Sequence, residues 1–314
     1  INYRKMLVNL GVDVRFETCL TGFDVHDAKI RGGILNDSEL LACDALVLAP
    51  GHSARDTYLM LDKHAVQMEA KGFAVGVRVE HPAELINRIQ YGMFAEQLPA
   101  ADYSLRYNND ETGRGVYSFC MCPGGEVINA ASEAEGLVVN GMSHTSRNSA
   151  YSNSALVVSV NPEDWGQTTL GGMYFQQDWE RKAFAAAGSN FMAPAQNMLA
   201  FAGKGSGPVV SSCRPGVVET DLREVLPGFV YHDIRNALPF FERKMRGFVT
   251  SEAVFIGVET RTSAPLRIRR DEKGESVSHR GLFPTGEGAG YAGGIMSAAL
   301  DGLRVADLVI QAVA

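Results

Sequence analysis

The sequence predicts a chain of two parts: an α/β domain split between residues 1–69 and 251–314, and a large inserted mixed-sheet β+α domain over residues 70–250. Three observations predict it. From Gly281 to Asp307 a strand end runs through a glycine-dense turn carrying one acid into an amphipathic helix. Toward the other end, Ala45-Leu-Val-Leu-Ala49 is a short apolar run that stops at Pro50-Gly51, the pattern of a parallel strand buried on both faces. Between them the apolar residues alternate with period two in several runs, as in a mixed or antiparallel sheet.

In chain order, Lys5 to Asp56 reads as helix end, strand, hairpin, strand and turn: Gly11-Val-Asp-Val-Arg-Phe16 alternates and Gly32-Gly33 punctuates. Gly51-His-Ser-Ala-Arg-Asp56 is small and polar, which fits a loop beside a ligand at a strand's carboxyl end and equally an ordinary connection. In the inserted part, Phe73–Val79, Gly115–Cys120, Val127–Ala131 and Ala155–Val160 read as strands. From Gly171 to Ala202 the pattern is helical. Phe175, Trp179, Ala183 and Phe184 share one face, and Ala195, Met198, Leu199 and Ala202 continue the core after a break near Pro194. Gly203-Lys-Gly-Ser-Gly-Pro208 is a connector. Glu219–Phe229 and Tyr231–Met245 read as helical segments around Pro227-Gly228, and Val254-Phe-Ile-Gly-Val258 as a buried strand returning to the first domain.

The closing stretch holds the chemistry. Glycines at 286, 288, 290, 293 and 294 let the backbone approach a ligand, and a helix starting near Gly293 aims unpaired N–H groups and a partial positive charge at it. An electron-rich or anionic group is the natural guest. Ile295, Ala298, Ala299, Val305, Ala306, Val309 and Ile310 recur at helical spacing, and the small Ala and Ser residues imply close packing.

Composition excludes several classes. With 314 residues, 46% of them hydrophobic, the chain is long enough for two cored domains and is not a disordered one. A formal charge of −7 with the basic residues spread along the chain argues against a nucleic-acid surface; Arg243–Arg246 and Arg267–Arg270 read as solvated faces. No apolar run reaches the roughly twenty residues that span a bilayer. The expected setting is cytoplasmic, with a small-molecule substrate. The chain opens on Ile1 without an initiator methionine, which reads as a fragment or a processed form.

Five cysteines fit reduced thiols better than a disulfide framework. Two readings of Cys120 and Cys122 stand side by side: a redox pair, or neighbours on one strand pointing to different faces around the bend at Pro123. No second Cys or His pair follows at zinc spacing, so no metal is expected. His52, His81 and His144 are candidates for proton transfer, since imidazole titrates near neutrality. Nothing has the spacing of a hydrolytic triad.

Several segments together resemble a known family. They are Asp44-Ala-Leu-Val-Leu-Ala-Pro-Gly-His-Ser-Ala-Arg-Asp56, Lys71-Gly-Phe-Ala-Val-Gly-Val-Arg-Val-Glu-His-Pro82, Cys120-Met-Cys-Pro-Gly-Gly125, Asn140-Gly-Met-Ser143, Glu259-Thr-Arg-Thr-Ser-Ala-Pro265 and Gly286-Glu-Gly-Ala-Gly-Tyr-Ala-Gly-Gly-Ile295. The chain is similar to the bacterial FAD-dependent dehydrogenases labelled NAD(FAD)-utilising, and more distantly to the two-dinucleotide-fold flavoproteins. The resemblance implies a partial FAD/NAD(P)-binding Rossmann-like domain. Its first βαβ unit, with Gly-x-Gly-x-x-Gly, would lie upstream of Ile1, so this chain alone would hold FAD poorly or not at all.

By the same resemblance, Gly51, His52 and Ser53 pass near the cofactor's pyrophosphate or ribityl chain, and Gly286 and Glu287 meet the ribityl hydroxyls. Gly293, Gly294 and Ile295 face the flavin ring, and Arg261 holds an anionic substrate or is merely paired with an acid at a domain junction. The implied activity is an FAD-dependent oxidoreductase taking electrons from NAD(P)H or another reduced small molecule. Two alternatives stand beside it: a disulfide reductase using Cys120 and Cys122, and a non-catalytic flavoprotein-like binding module.

Overall fold

The computed structural model describes residues 2–313 and divides into two compact units, Ile1–Glu69 with Arg267–Ala314, and Ala70–Leu266. In the first unit, helix α1 (Asn2–Asn9) precedes an antiparallel sheet of β1 (Leu20–His26), β2 (Lys29–Leu35) and β3 (Glu39–Ala42) in the order β1-β2-β3. Gly11–Phe16, expected as a strand, is irregular. Among the described residues its alternation has no partner strand to satisfy the backbone, and Val12 and Phe16 are exposed. Strand β4 (Leu46–Leu48) leads to helix α2 (Arg55–Lys63), and the chain leaves this unit through β5 (Met68–Ala70).

The second unit is built on β6 (Phe73–Pro82), followed by α3 (Ala83–Tyr91), β7 (Arg106–Asn108), β8 (Gly115–Cys122), β9 (Glu126–Asn129), β10 (Val139–Met142) and β11 (Tyr151–Val160). Then come α4 (Gly171–Ala186), β12 (Ala193–Asn197), α5 (Met198–Ala202), β13 (Val217–Glu219), α6 (Gly228–Lys244) and β14 (Val254–Glu259), and the chain leaves through β15 (Leu266–Ile268). Seven of these strands form one mixed sheet in the order β13-β12-β14-β6-β11-β8-β7, antiparallel except for β12 with β13. The unit is thus α+β around a large mixed sheet.

Period-two geometry gives β6 two different faces. Val75, Val77 and Val79 are fully buried under α6, which contributes Val230, Ile234, Leu238 and Phe241 at helical spacing. Each such side chain is worth about 1.5–3 kcal/mol on burial. The opposite face carries Ala74, Arg78 and Glu80, all buried, so this strand is interior on both sides.

Three expectations are corrected here. Residues 193–197 form strand β12 rather than helix: Ala195 pairs with Ile256 of β14, and Pro194, which has no N–H to give, is tolerated in the parallel pairing with Val218. Glu219–Phe229 is not one helix: Glu219 ends β13, Leu222–Glu224 is a short turn of 3₁₀-helix, and α6 starts only at Gly228. Strand β14 lies between β12 and β6, so residues 251–266 complete the second unit instead of returning to the first.

Strand β16 (Leu282–Pro284) and helix α7 (Ile295–Val313) close the first unit. β16 runs parallel to β4, Leu282 beside Leu46 and Pro284 beside Leu48. The parallel pairing agrees with expectation, but Val47 is exposed, so β4 is not buried on both faces. A ribbon of two parallel strands does not by itself make a dinucleotide-binding fold. Nor is α7 closely packed: Val305 is its one described buried residue, while Ile295, Met296, Leu300 and Leu303 are exposed. A two-stranded ribbon offers too little surface to cover a helix of 19 residues. No described helix is long and apolar enough to cross a membrane.

Candidate functional site

In the first unit, the parallel register of β4 and β16 sends two loops from the same edge. Thr285 N–H donates to the Leu48 carbonyl at 2.9 Å, so the strands stay paired up to the point where both loops leave. Gly51 (φ +76°) turns the first loop, and Gly286 (φ +76°) and Gly290 (φ +85°) turn the second; all three are in the left-handed region that favours glycine. The loops then touch backbone to backbone. A Cβ built on Gly288 would stand 2.6 Å from both the nitrogen and the carbonyl carbon of Gly51, so this contact exists only with glycine at 288.

Two further groups hold the second loop. Tyr58, fully buried on α2, donates its hydroxyl to the Gly288 carbonyl at 2.8 Å; burial pushes that phenol well above its usual range. Asp301 on α7 accepts the Gly286 N–H at 2.7 Å and a fork from Arg270 at 2.9 and 2.5 Å. Burial opposes the Asp301 charge, but the Arg270 and Gly286 hydrogen bonds outweigh it and hold the carboxyl below its ordinary value. Neither Tyr58 nor Asp301 was singled out in the sequence.

The fixed loops present Glu287 beside His52, with 3.8 Å between Oε1 and Nε2. Ser53 is exposed in the same loop as His52. Beyond Tyr291, the chain enters α7, whose first helical bond runs from Ala298 N–H to the Gly294 carbonyl. The Gly293 N–H is drawn to Ser297 Oγ at 3.3 Å, leaving the first-turn amides after Gly294 without partners inside the helix. A Cβ on Gly293 or Gly294 would meet nothing within 4 Å, so open space adjoins this helix start. Two glycine turns, one acid and a helix N-terminus facing open space fit a bound dinucleotide with polyhydroxyl and anionic parts.

The second unit places the remaining candidates. Arg78, fully buried on β6, lies 2.6 Å from Glu259 of β14 and donates to the Cys120 carbonyl at 2.7 Å and to Asn140 Oδ1 at 2.8 Å. Burial raises Glu259 to about 7 against the opposing pull of Arg78. The sequence did hold a signal for this cluster, an arginine within the apolar run Phe73–Val79. Arg261 is bound in a fork to Glu180 at 3.0 and 2.8 Å and donates to Ser132 at 2.6 Å. Arg261 is thus ion-paired within the second unit rather than at a domain junction.

His144 is exposed in a turn closed by Arg147 N–H on its carbonyl. His81 is corrected as a proton-transfer candidate. It is fully buried, with Nε2 2.8 Å from the Phe248 carbonyl, and burial lowers it to about 4, so it stays neutral at pH 7. Because its folded value lies below the ordinary one, the unfolded chain binds more protons between about pH 4 and 6.5, and stability falls as pH drops through that window. The fall amounts to about 3 kcal/mol. Urea midpoints between pH 4 and 7 should therefore decline on the acid side, and His81→Phe should flatten this part of the profile; an unchanged slope in the variant would assign the decline to other groups. Among the described residues no cluster of His, Cys, Asp or Glu could hold a metal ion.

Residues 72–262 match the family described as FAD-dependent protein, C-terminal domain-like. The match falls on the second unit, outside the paired glycine loops. An uncharacterized protein of Clostridium beijerinckii is 46% identical over 317 residues, covering 99% of this chain and so both units. The chain spans 59% of the length of that relative.

Proposed function

Because the chain belongs to the family of FAD-dependent proteins with this C-terminal domain, we propose that it is part of an FAD-dependent oxidoreductase that takes electrons from NAD(P)H or another reduced small molecule. The observation that carries this reading is the backbone contact of Gly288 with Gly51, which leaves Glu287 and the start of α7 presented on one glycine-built ledge. When bound, FAD would supply the hydride-type electron transfer. The protein's part is to bind and orient. Glu287 would accept hydrogen bonds from hydroxyls of the cofactor, as its carboxylate is an acceptor only. Gly294 and Ile295, at the positive end of α7, favour negative charge on the group beside them. Gly51, His52 and Ser53 border the same ledge, and the cofactor's polar chain would lie along them.

Glu287→Gln tests the assignment. The amide oxygen still accepts a bond but without charge, so FAD affinity should fall about fivefold, corresponding to roughly 1 kcal/mol. Titration of the full-length protein with FAD followed by flavin fluorescence reads this directly, and an unchanged affinity would remove Glu287 from the site.

A further inference from the structure

The Cys120-Met-Cys122 segment has a geometry that the flavin reading does not use. Along β8, Cys122 pairs with Asn153 and Phe119 with Ala155, so three steps on β8 span two on β11. The extra residue makes a bulge, and Cys120 takes φ +45° in it. A regular strand would lean both thiols to one face with equal exposure. Here the bulge turns Cys120 out to solvent while Cys122 remains buried, and Cys122 Sγ lies 3.5 Å from the Cys120 carbonyl. Arg78 donates to that same carbonyl and fixes the bulge over a buried cation. Neither cysteine is joined in a disulfide.

We propose that Cys120 and Cys122 form a thiol–disulfide exchange site for small disulfides in solution, with Cys120 as the attacking thiol and Cys122 as the resolving one. The site stands whether or not the flavin reading holds. The Cys120 thiolate attacks one sulfur of R–S–S–R; that S–S bond breaks, a Cys120–S–S–R bond forms and R–S⁻ leaves. Cys122 gives its proton to the departing thiolate, and its sulfur attacks Cys120 Sγ, expelling the second R–S⁻, which is protonated from water. In sum, two electrons pass from the dithiol to R–S–S–R, leaving a Cys120–Cys122 disulfide and two R–SH.

The electrostatics support this division of roles. The charged and titratable groups facing the pair are Arg78 from β6, Glu259 from β14 and each thiol for the other. A hydrogen bond from Cys122 lowers Cys120 to about 6; burial opposes this, and the Arg78 charge adds to it. Cys122 is pushed far up, first by that bond to Cys120 and then by burial, so it keeps its proton until attack occurs. Once Cys120 is in a mixed disulfide its negative charge is gone, and Arg78 then favours ionisation of Cys122.

The test uses the reduced chain with iodoacetamide and oxidised glutathione, read by intact mass and peptide mapping. At pH 6, Cys120 should react with iodoacetamide about tenfold faster than N-acetylcysteine, since its larger thiolate fraction outweighs its lower intrinsic nucleophilicity. Glutathione disulfide should convert the wild type to a Cys120–Cys122 cross-linked peptide. Cys122→Ser should stop at a stable glutathione adduct on Cys120, and Cys120→Ser should show neither product. A wild-type adduct that never resolves, a first adduct on Cys19 or Cys43, or a Cys120 rate no higher than that of N-acetylcysteine would each overturn the proposal. The rate is measured on wild type, so it holds even where a variant folds poorly.

Discussion

Gly288→Val should destabilise the first unit by about 3 kcal/mol and abolish flavin retention. The reason is local. A Cβ at 288 would stand 2.6 Å from two backbone atoms of Gly51, and Gly51 cannot withdraw freely because it sits at φ +76° between β4 and α2. Moving Gly288 instead would break the 2.8 Å hydrogen bond from the buried Tyr58 hydroxyl and leave that group without its partner, which costs about 1–3 kcal/mol. Val adds β-branching to the same clash. Urea unfolding monitored by a probe in residues 1–69 gives the stability change, and the absorbance of desalted full-length protein gives the flavin. A Gly288→Val chain with wild-type stability would mean that the two loops are not in contact.

The second large effect is expected at the centre of the seven-stranded sheet. Arg78→Met should cost about 3–5 kcal/mol, because it leaves the Glu259 carboxylate buried without its cation. Glu259 already sits near 7 through burial, so without Arg78 it will be protonated across the whole neutral range. The Cys120 carbonyl and Asn140 Oδ1 lose their donor in the same step. Glu259→Leu added to Arg78→Met should restore at least half of the loss, since an apolar pair of similar volume removes the buried carboxyl left without its partner. Urea midpoints of the two variants decide it. A loss below about 1 kcal/mol for Arg78→Met would show that water reaches the pair and screens it.

Some of this was legible in the sequence and some was not, for physical reasons. The strand ending at Pro50-Gly51 could be read because a short apolar run closed by Pro and Gly has few other structures open to it, and the structure pairs it with β16. The glycine turn from 286 to 290 could be read because positive φ at Gly286 and Gly290 and a close backbone approach at Gly288 all call for glycine. Pro194 misled: a helical apolar spacing and a short buried strand share the same residues over so few positions, and only the partners β13 and β14 decide between them.

Long-range fastening was equally invisible. Tyr58 acts on a residue 230 positions away, and Glu259 meets Arg78 only because β14 inserts beside β6. That insertion also explains why residues 251–266 looked like the start of a return to the first unit: Val254–Glu259 is buried throughout, as a strand at the heart of either sheet would be. The bulge at Cys120 depends on the register against β11, which local sequence does not encode.

The measurement that tests the central claim most directly is flavin retention by the full-length protein, as wild type and as Gly294→Val, each supplied with FAD, desalted and scanned for absorbance. A Cβ at Gly294 enters open space, so the variant should keep wild-type stability. The account predicts a stoichiometric flavin band in the wild type and its loss from the equally stable Gly294→Val. A wild type that emerges colourless, or a variant that stays as yellow as the wild type, would contradict the placement of FAD against the start of α7.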